Sequence, residues 1–294
     1  MKKDTLFADL SELVKARIAV MVVVTTAVGY LMASPLNVGL RAFDPIGLLT
    51  VLLGTALVAG GAGVLNQVVE REPDSRMDRT AGRPIPAGRI SSDTALVLGV
   101  LLSITGLAQL AYSVNLLTAL LGAATLAGYV FIYTPLKRVS SLATIVGAVP
   151  GAVPPMMGWT AARDAIEPGA WALFGILFLW QMPHFLAIAW MYRDDYQKGG
   201  FPMLPVFDPD GSRTGRQAVL YAAALVPVSL LPTVLGHTGV LYFVGAALLS
   251  GAYFLCSFGF NRRRHRGTAH RLLLASVIYL PALLAVMLVD RIRF

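Results

Sequence analysis

Nine stretches of this chain are apolar over lengths approaching or exceeding what a helix needs to cross a hydrocarbon layer, about 20 residues. They fall at 18–33, 45–68, 93–112, 116–133, 142–160, 170–192, 218–235, 240–260 and 272–290. Such repetition leaves few folds open. In lipid every backbone N–H and C=O must be bonded by the protein itself, which only helices and closed barrels achieve. Barrel strands are shorter and alternate in polarity, whereas these runs are continuously apolar. Only 14% of the residues are charged and 56% are hydrophobic, against about a quarter charged in soluble domains. The expectation is an all-α integral membrane protein: nine transmembrane helices around a central cavity, with the active site at the cytoplasmic side, as a single domain over 1–294. The first run is the shortest and is expected to begin earlier, within 10–14.

Charge orders these spans. Twenty of the 24 Lys and Arg residues lie at the start or in the connections after the second, fourth, sixth and eighth runs. That bias predicts a cytoplasmic N-terminus and an outer C-terminus. It also accounts for the net charge of +8 without a nucleic-acid partner. The segment 1–13 is expected to be cytoplasmic and not a cleavable leader. The two long polar connections, 69–92 and 193–217, fall on the same side and are expected to be active-site loops. Cys256 is the only cysteine, so neither an intrachain disulfide nor a cysteine metal cluster can form.

The first long connection carries the densest chemistry. Glu70, Glu72, Asp74 and Asp78 share 66–86 with Arg71, Arg76, Arg79 and Arg83. Asn66, Glu70, Asp74 and Asp78 recur every four residues, a spacing that places helical side chains on one face. Pro73 is expected to end the helix. Asn66 and Glu70 then sit on its last turn, and Asp74 and Asp78 on a turn or short helix beyond. Oxygen ligands beside arginine forks suit a diphosphate carried on Mg²⁺. The bland alternative is a solvated loop of paired charges; the spacing favours the site.

Asp194 and Asp195, with Arg193 and Lys198 beside them, form a second cluster able to hold another cation. Lys137 and Arg138 close a third inner edge and are either orientation anchors or phosphate ligands. Gln181 and His184 lie inside an apolar run, where polar groups are costly and often mark a site. Pro and Gly residues over 150–159 imply a span packed by neighbours that satisfy its freed backbone.

The Asn66–Arg83 pattern resembles the first aspartate-rich motif of UbiA-type intramembrane prenyltransferases. Y-T-P-L-K-R, G-A-V-P-G-A-V-P-P-M-M-G-W and W-Q-M-P-H-F-L-A-I-A-W-M-Y-R-D-D-Y are similar to the haem-farnesylating branch of that family. The resemblance implies transfer of the farnesyl group of farnesyl diphosphate to a vinyl group of haem b, with water added, giving haem O. It implies Mg²⁺ on Asn66, Glu70, Asp74 and Asp78, with Asp194 and Asp195 serving the second motif as metal ligands. Many family members carry D-x3-D there; here Lys198 and Gly199 stand four residues after Asp194 and Asp195. Arg71, Arg79, Arg83, Lys137, Arg138, Arg193 and Lys198 would take substrate anions, with Arg138, Arg213 or Arg216 on haem propionates. His184 would orient the haem. The family further implies a bacterial inner membrane and a haem A synthase or terminal oxidase as assembly partner. A quinone-precursor acceptor, or a secondary transporter built on proline-broken helices, are the competing readings.

Overall fold

A computed structural model of the chain describes residues 6–34 and 43–291. Lys2, Lys3, Arg41 and Arg293, four of the charges that set the expected orientation, lie outside those residues.

The regular elements of the described chain are all helices, with one isolated β-bridge between Thr238 and Arg291. In order the helices are α1 (Leu6–Leu13), α2 (Ala16–Ala33), α3 (Pro45–Arg76) and α4 (Ser92–Ser113). There follow α5 (Leu116–Leu136), α6 (Ala143–Ala152), α7 (Pro154–Arg163) and α8 (Pro168–Met191). The last four are α9 (Arg193–Lys198), α10 (Ser212–Val234), α11 (Val240–Arg263) and α12 (Arg266–Val289). Side chains fix several starts. Asp44 accepts from the N–H groups of Ile46 and Gly47, Ser91 from Thr94, and Asn115 from Thr118. Each satisfies donors that a first turn leaves open.

Eight of these helices are individually long and apolar enough to span a membrane; the protein is a multi-pass membrane protein. The ninth expected crossing, 142–160, is built as α6 and α7. Pro154 and Pro155 bring no N–H to the ladder. The hydrogen bonding therefore breaks at Val153, while its backbone stays in the right-handed helical region. Residues 154–160 of α7 are all buried, as the proline-rich sequence implied. Gly29 of α2 and Gly158 of α7 allow the two backbones to touch: a Cβ on either would strike a backbone oxygen of the other helix. Small residues permit such close approach in membranes.

Three expectations change. The first span does not begin within 10–14: Lys15 adopts φ 52°, ψ 49°, a left-handed conformation that separates α1 from α2. Pro73 does not end α3, which runs on to Arg76 and carries Asp74 as well as Asn66 and Glu70. The connections 69–92 and 193–217 are partly helical, through the end of α3, all of α9 and the start of α10.

Candidate active site

The reason α3 survives Pro73 is visible beside it. Proline at that position removes the donor for the Val69 carbonyl. The guanidinium of Arg138 donates to that carbonyl at 2.7 Å. A side chain from the end of α5 thus replaces the missing backbone bond, and the four-residue repeat continues for another turn.

That continuation buries the repeat. Asn66, Glu70 and Asp74 are 1%, 3% and 1% exposed. Each meets a basic group from a different part of the chain. Lys15 Nζ donates to Asn66 Oδ1, and Lys137 Nζ to Glu70 Oε1 at 2.6 Å. Arg83 donates to Asp74 Oδ2 at 2.5 Å. Asp78, on the turn after α3, is exposed, and its Oδ2 accepts from Lys198 Nζ at 2.6 Å. Asn66 Nδ2 also donates to Thr134 Oγ1 at 2.9 Å.

Thr134 follows a π-helical stretch, residues Gly128–Tyr133, inside α5. Its hydroxyl donates five residues back to the Tyr129 carbonyl at 2.8 Å. Single π turns are often found at functional sites. This one sets Tyr129 within reach of Lys15, with Nζ 3.4 Å from the phenol oxygen. Sequence reasoning missed Lys15, Tyr129 and Thr134. Lys15 read only as an orientation charge, and nothing in its neighbours signals a left-handed residue. Burial pulls its ammonium down to about 7, with Glu70 opposing and Arg83 and Lys137 adding to the fall.

Four buried side-chain oxygens among the described residues lack a hydrogen-bond partner, on Thr55, Gln67, Gln109 and Asp74, and only the last is a carboxylate oxygen. Asp74 Oδ1 is buried and has no hydrogen-bond partner among the described residues. A buried carboxylate oxygen left unpaired is costly. The donor set around it, an amide oxygen and two carboxylates, is that of a hard divalent cation. No trio of His, Cys, Asp or Glu converges closely enough among the described residues to form a metal cluster by itself. Each acid is instead drawn toward its own basic partner.

The other expected residues are distributed as follows. Arg79 lies over the rings of Tyr192 and Tyr196, at 5.6 and 5.8 Å. Arg71 is exposed and turns back to the Val68 carbonyl at 3.1 Å. Arg138 is engaged by Val69, and Arg213 and Arg216 are exposed on the first turns of α10. Asp194 is 88% exposed in its side chain and pairs with Arg193 at 3.7 Å, while Asp195 is half-buried. Among the described residues, neither aspartate is brought to Asn66, Glu70 or Asp74 by a hydrogen bond or ion pair of its own. Arg193 stacks over Trp190 at 4.7 Å. It borders a cleft of about 200 Å³ lined also by Asp194, Arg264, His265 and Arg266. His184 lies inside α8, its Nδ1 2.7 Å from Ser276 Oγ and its ring stacked on Trp180 at 5.3 Å. Gln181 donates to the Ala148 carbonyl at 2.8 Å, near the α6–α7 break.

The segment after α9 closes over the turn after α3. Phe201 and Met203 pack on Met77 in a small buried cluster. Gly200 has φ +73°, which favours glycine. Lys137 Nζ lies 4.8 Å over the Phe201 ring. The start of α2, the ends of α3 and α5, and α9 therefore meet at one end of the bundle.

The buried acids Glu70 and Asp74 thus meet their basic partners at one end of a helical membrane bundle. The family model for the UbiA prenyltransferase family matches residues 22–280, and the chain belongs to that family. It is an enzyme of prenyl transfer. Within the family it is similar over nearly its whole length to proteins named protoheme IX farnesyltransferase. Identity is 48% over 288 residues with that of Solibacter usitatus (strain Ellin6076), covering 96% of this chain and 98% of the relative. It is 46% over 278 residues with that of Salinibacter ruber (strain DSM 13855 / M31), covering 95% and 96%. Among solved structures, one of digeranylgeranylglyceryl phosphate synthase matches with a TM-score of 0.79 at 18% identity, covering 97% of this chain and 98% of that one. A UbiA homologue from Archaeoglobus fulgidus bound to DMAPP and Mg²⁺ matches with a TM-score of 0.67 at 17% identity, covering 95% and 99%. These distant structures share the fold.

Proposed function

We propose that the chain transfers the farnesyl group of farnesyl diphosphate to a vinyl group of haem b. Addition of water completes the product, haem O, and diphosphate leaves. The observation that carries the diphosphate end is Asp74 Oδ1, buried and unpaired amid Asn66, Glu70 and their basic partners. Mg²⁺ would be held by Asn66, Glu70, Asp74 and Asp78. When bound, it supplies positive charge where the leaving diphosphate gains negative charge. Arg83, Lys137 and Lys15, now paired within the protein, exchange those pairs for phosphate oxygens. Arg79 adds a guanidinium at the rim.

The acceptor end is assigned to the residues around α8 and α9. The cleft with Arg193, Arg264 and Arg266 offers guanidinium groups to the two haem propionates. His184 lies eight residues before Tyr192, about 12 Å along a helix, and orients the haem from within the bundle. Loss of diphosphate leaves an allylic cation, the vinyl carbon attacks it, and water captures the resulting cation. No general base is required for the bond-forming step, in keeping with an interior poor in ionisable groups. The positive-inside bias supports reading this end as the cytoplasmic face, and the resemblance to the family adds a bacterial inner membrane and a haem A synthase or terminal oxidase to take the product. A transporter would place its acids near the membrane midplane; here they lie at a helix end.

Purified protein in detergent, supplied with haem b, farnesyl diphosphate and Mg²⁺, should yield haem O by mass spectrometry and none with EDTA. Diphosphate release with a quinone precursor but not with haem would replace the acceptor and keep the transfer.

A further inference from the structure

The two polar connections do not present the same charge to the site. In the first, oxygen ligands follow one another every four residues. In the second, the residue one helical turn after Asp194 is Lys198. Its ammonium, not a carboxylate, crosses from α9 to Asp78 at 2.6 Å. Asp194 faces the other way, toward Arg193 and the arginine cleft.

We propose that this site works with a single divalent cation and that Lys198 supplies the positive charge a second cation would otherwise bring. The inference rests on the prenyl-diphosphate reading above. A prenyl diphosphate carries more negative charge than one divalent cation neutralises. A second ion would need oxygen ligands from the second segment; there Asp195 is half-buried, Asp194 turns to the arginine cleft, and the side chain that reaches the first segment is a lysine. Lysine suits this role, being a compact point charge on a long stem that needs no ligands of its own. Its seat is fixed. Gly199 packs against Met77, where a Cβ would stand 3.0 Å from the thioether, and Phe201 and Met203 are buried on the same residue. Lys198 is thus a positioning residue for the diphosphate, reached through the same turn that carries the metal ligands.

The test counts ions. Full-length protein is loaded with Mn²⁺ and the thiolodiphosphate analogue of farnesyl diphosphate, which binds without reacting, and bound Mn²⁺ is measured by electron paramagnetic resonance. The wild type should hold one ion per chain. Lys198→Asp, which puts a carboxylate where the ammonium now meets the turn of Asp78, should hold two. Lys198→Met should keep one ion and bind the analogue about tenfold more weakly, the usual cost of a lost charge-assisted bond, with Lys198→Arg restoring affinity. Two ions in the wild type, or one in Lys198→Asp, would overturn the proposal and leave the transfer reading intact. No Mn²⁺ on any of these proteins would overturn the metal-dependent reading and this inference with it.

Discussion

Asp74 carries two oxygens with different fates, one on Arg83 and one unpaired in a buried site. Asp74→Ala should reduce haem O formation by at least about a hundredfold, the scale of losing a charge-stabilising group at a reacting centre. The purified variant should elute as a folded protein; retained turnover would remove Asp74 from the site. At this scale the sequence was legible where spacing alone sufficed. Asn66, Glu70 and Asp74 stand in one periodic row that the helix keeps. Lys15 was not legible, because its role follows from a backbone torsion and from Tyr129 and Thr134 arriving on a π turn. Arg138 was read as a phosphate ligand or anchor; its partner is a carbonyl exposed by a proline 65 residues earlier in the chain.

The elements depend on such local substitutions. Arg138→Ala should destabilise the protein by about 1 kcal/mol, the usual net worth of one hydrogen bond. In a Pro73→Ala background the backbone donor returns, and the same change should cost less. A double-mutant cycle on thermal unfolding in detergent measures the difference; strict additivity would break the link between the two residues. A second helix start is acid-sensitive. Asp208 accepts from the Thr214 N–H and hydroxyl, both at 2.7 Å, on the first turn of α10. Burial pushes its carboxyl up, but the Thr214 bonds prevail and hold it below the usual range. Its folded value is thus lower than its unfolded one. The stabilisation is complete above the unfolded value near pH 4 and is lost as pH falls through the folded value. Asp208→Asn should therefore lose less of its melting temperature on acidification than the wild type does. The broken crossing was legible in part: prolines foretold trouble at 150–155, but the sequence did not say that Val153, at the break, would keep helical torsions.

For the whole molecule, alternating charge foretold which ends would meet, and Lys15, the end of α3, the end of α5 and α9 do meet. The acceptor end was less legible, because the arginines of the cleft come from α9 and the α11–α12 connection, far apart in the chain. If that cleft holds propionates, haem b should bind about tenfold more tightly than its dimethyl ester, one charge-assisted pair's worth. Arg264→Ala combined with Arg266→Ala should erase the preference, read from the Soret band. Equal binding of both haems by the wild type would move the propionates elsewhere.

The acids and bases of the site neutralise one another: Glu70 with Lys137, Asp74 with Arg83, Asp78 with Lys198. A metal arriving alone must compete with resident ammonium and guanidinium groups for its oxygens. A diphosphate arriving alone must win those same cations away from carboxylates. Arriving together, each ligand releases the partners the other needs. Binding is then cooperative, and linkage makes the enhancement the same in both directions. Calorimetry with the unreactive analogue should find weak association of either ligand by itself and strong association of each in the presence of the other. A membrane enzyme built this way leaves free Mg²⁺ and free diphosphate largely unbound and responds to the pair.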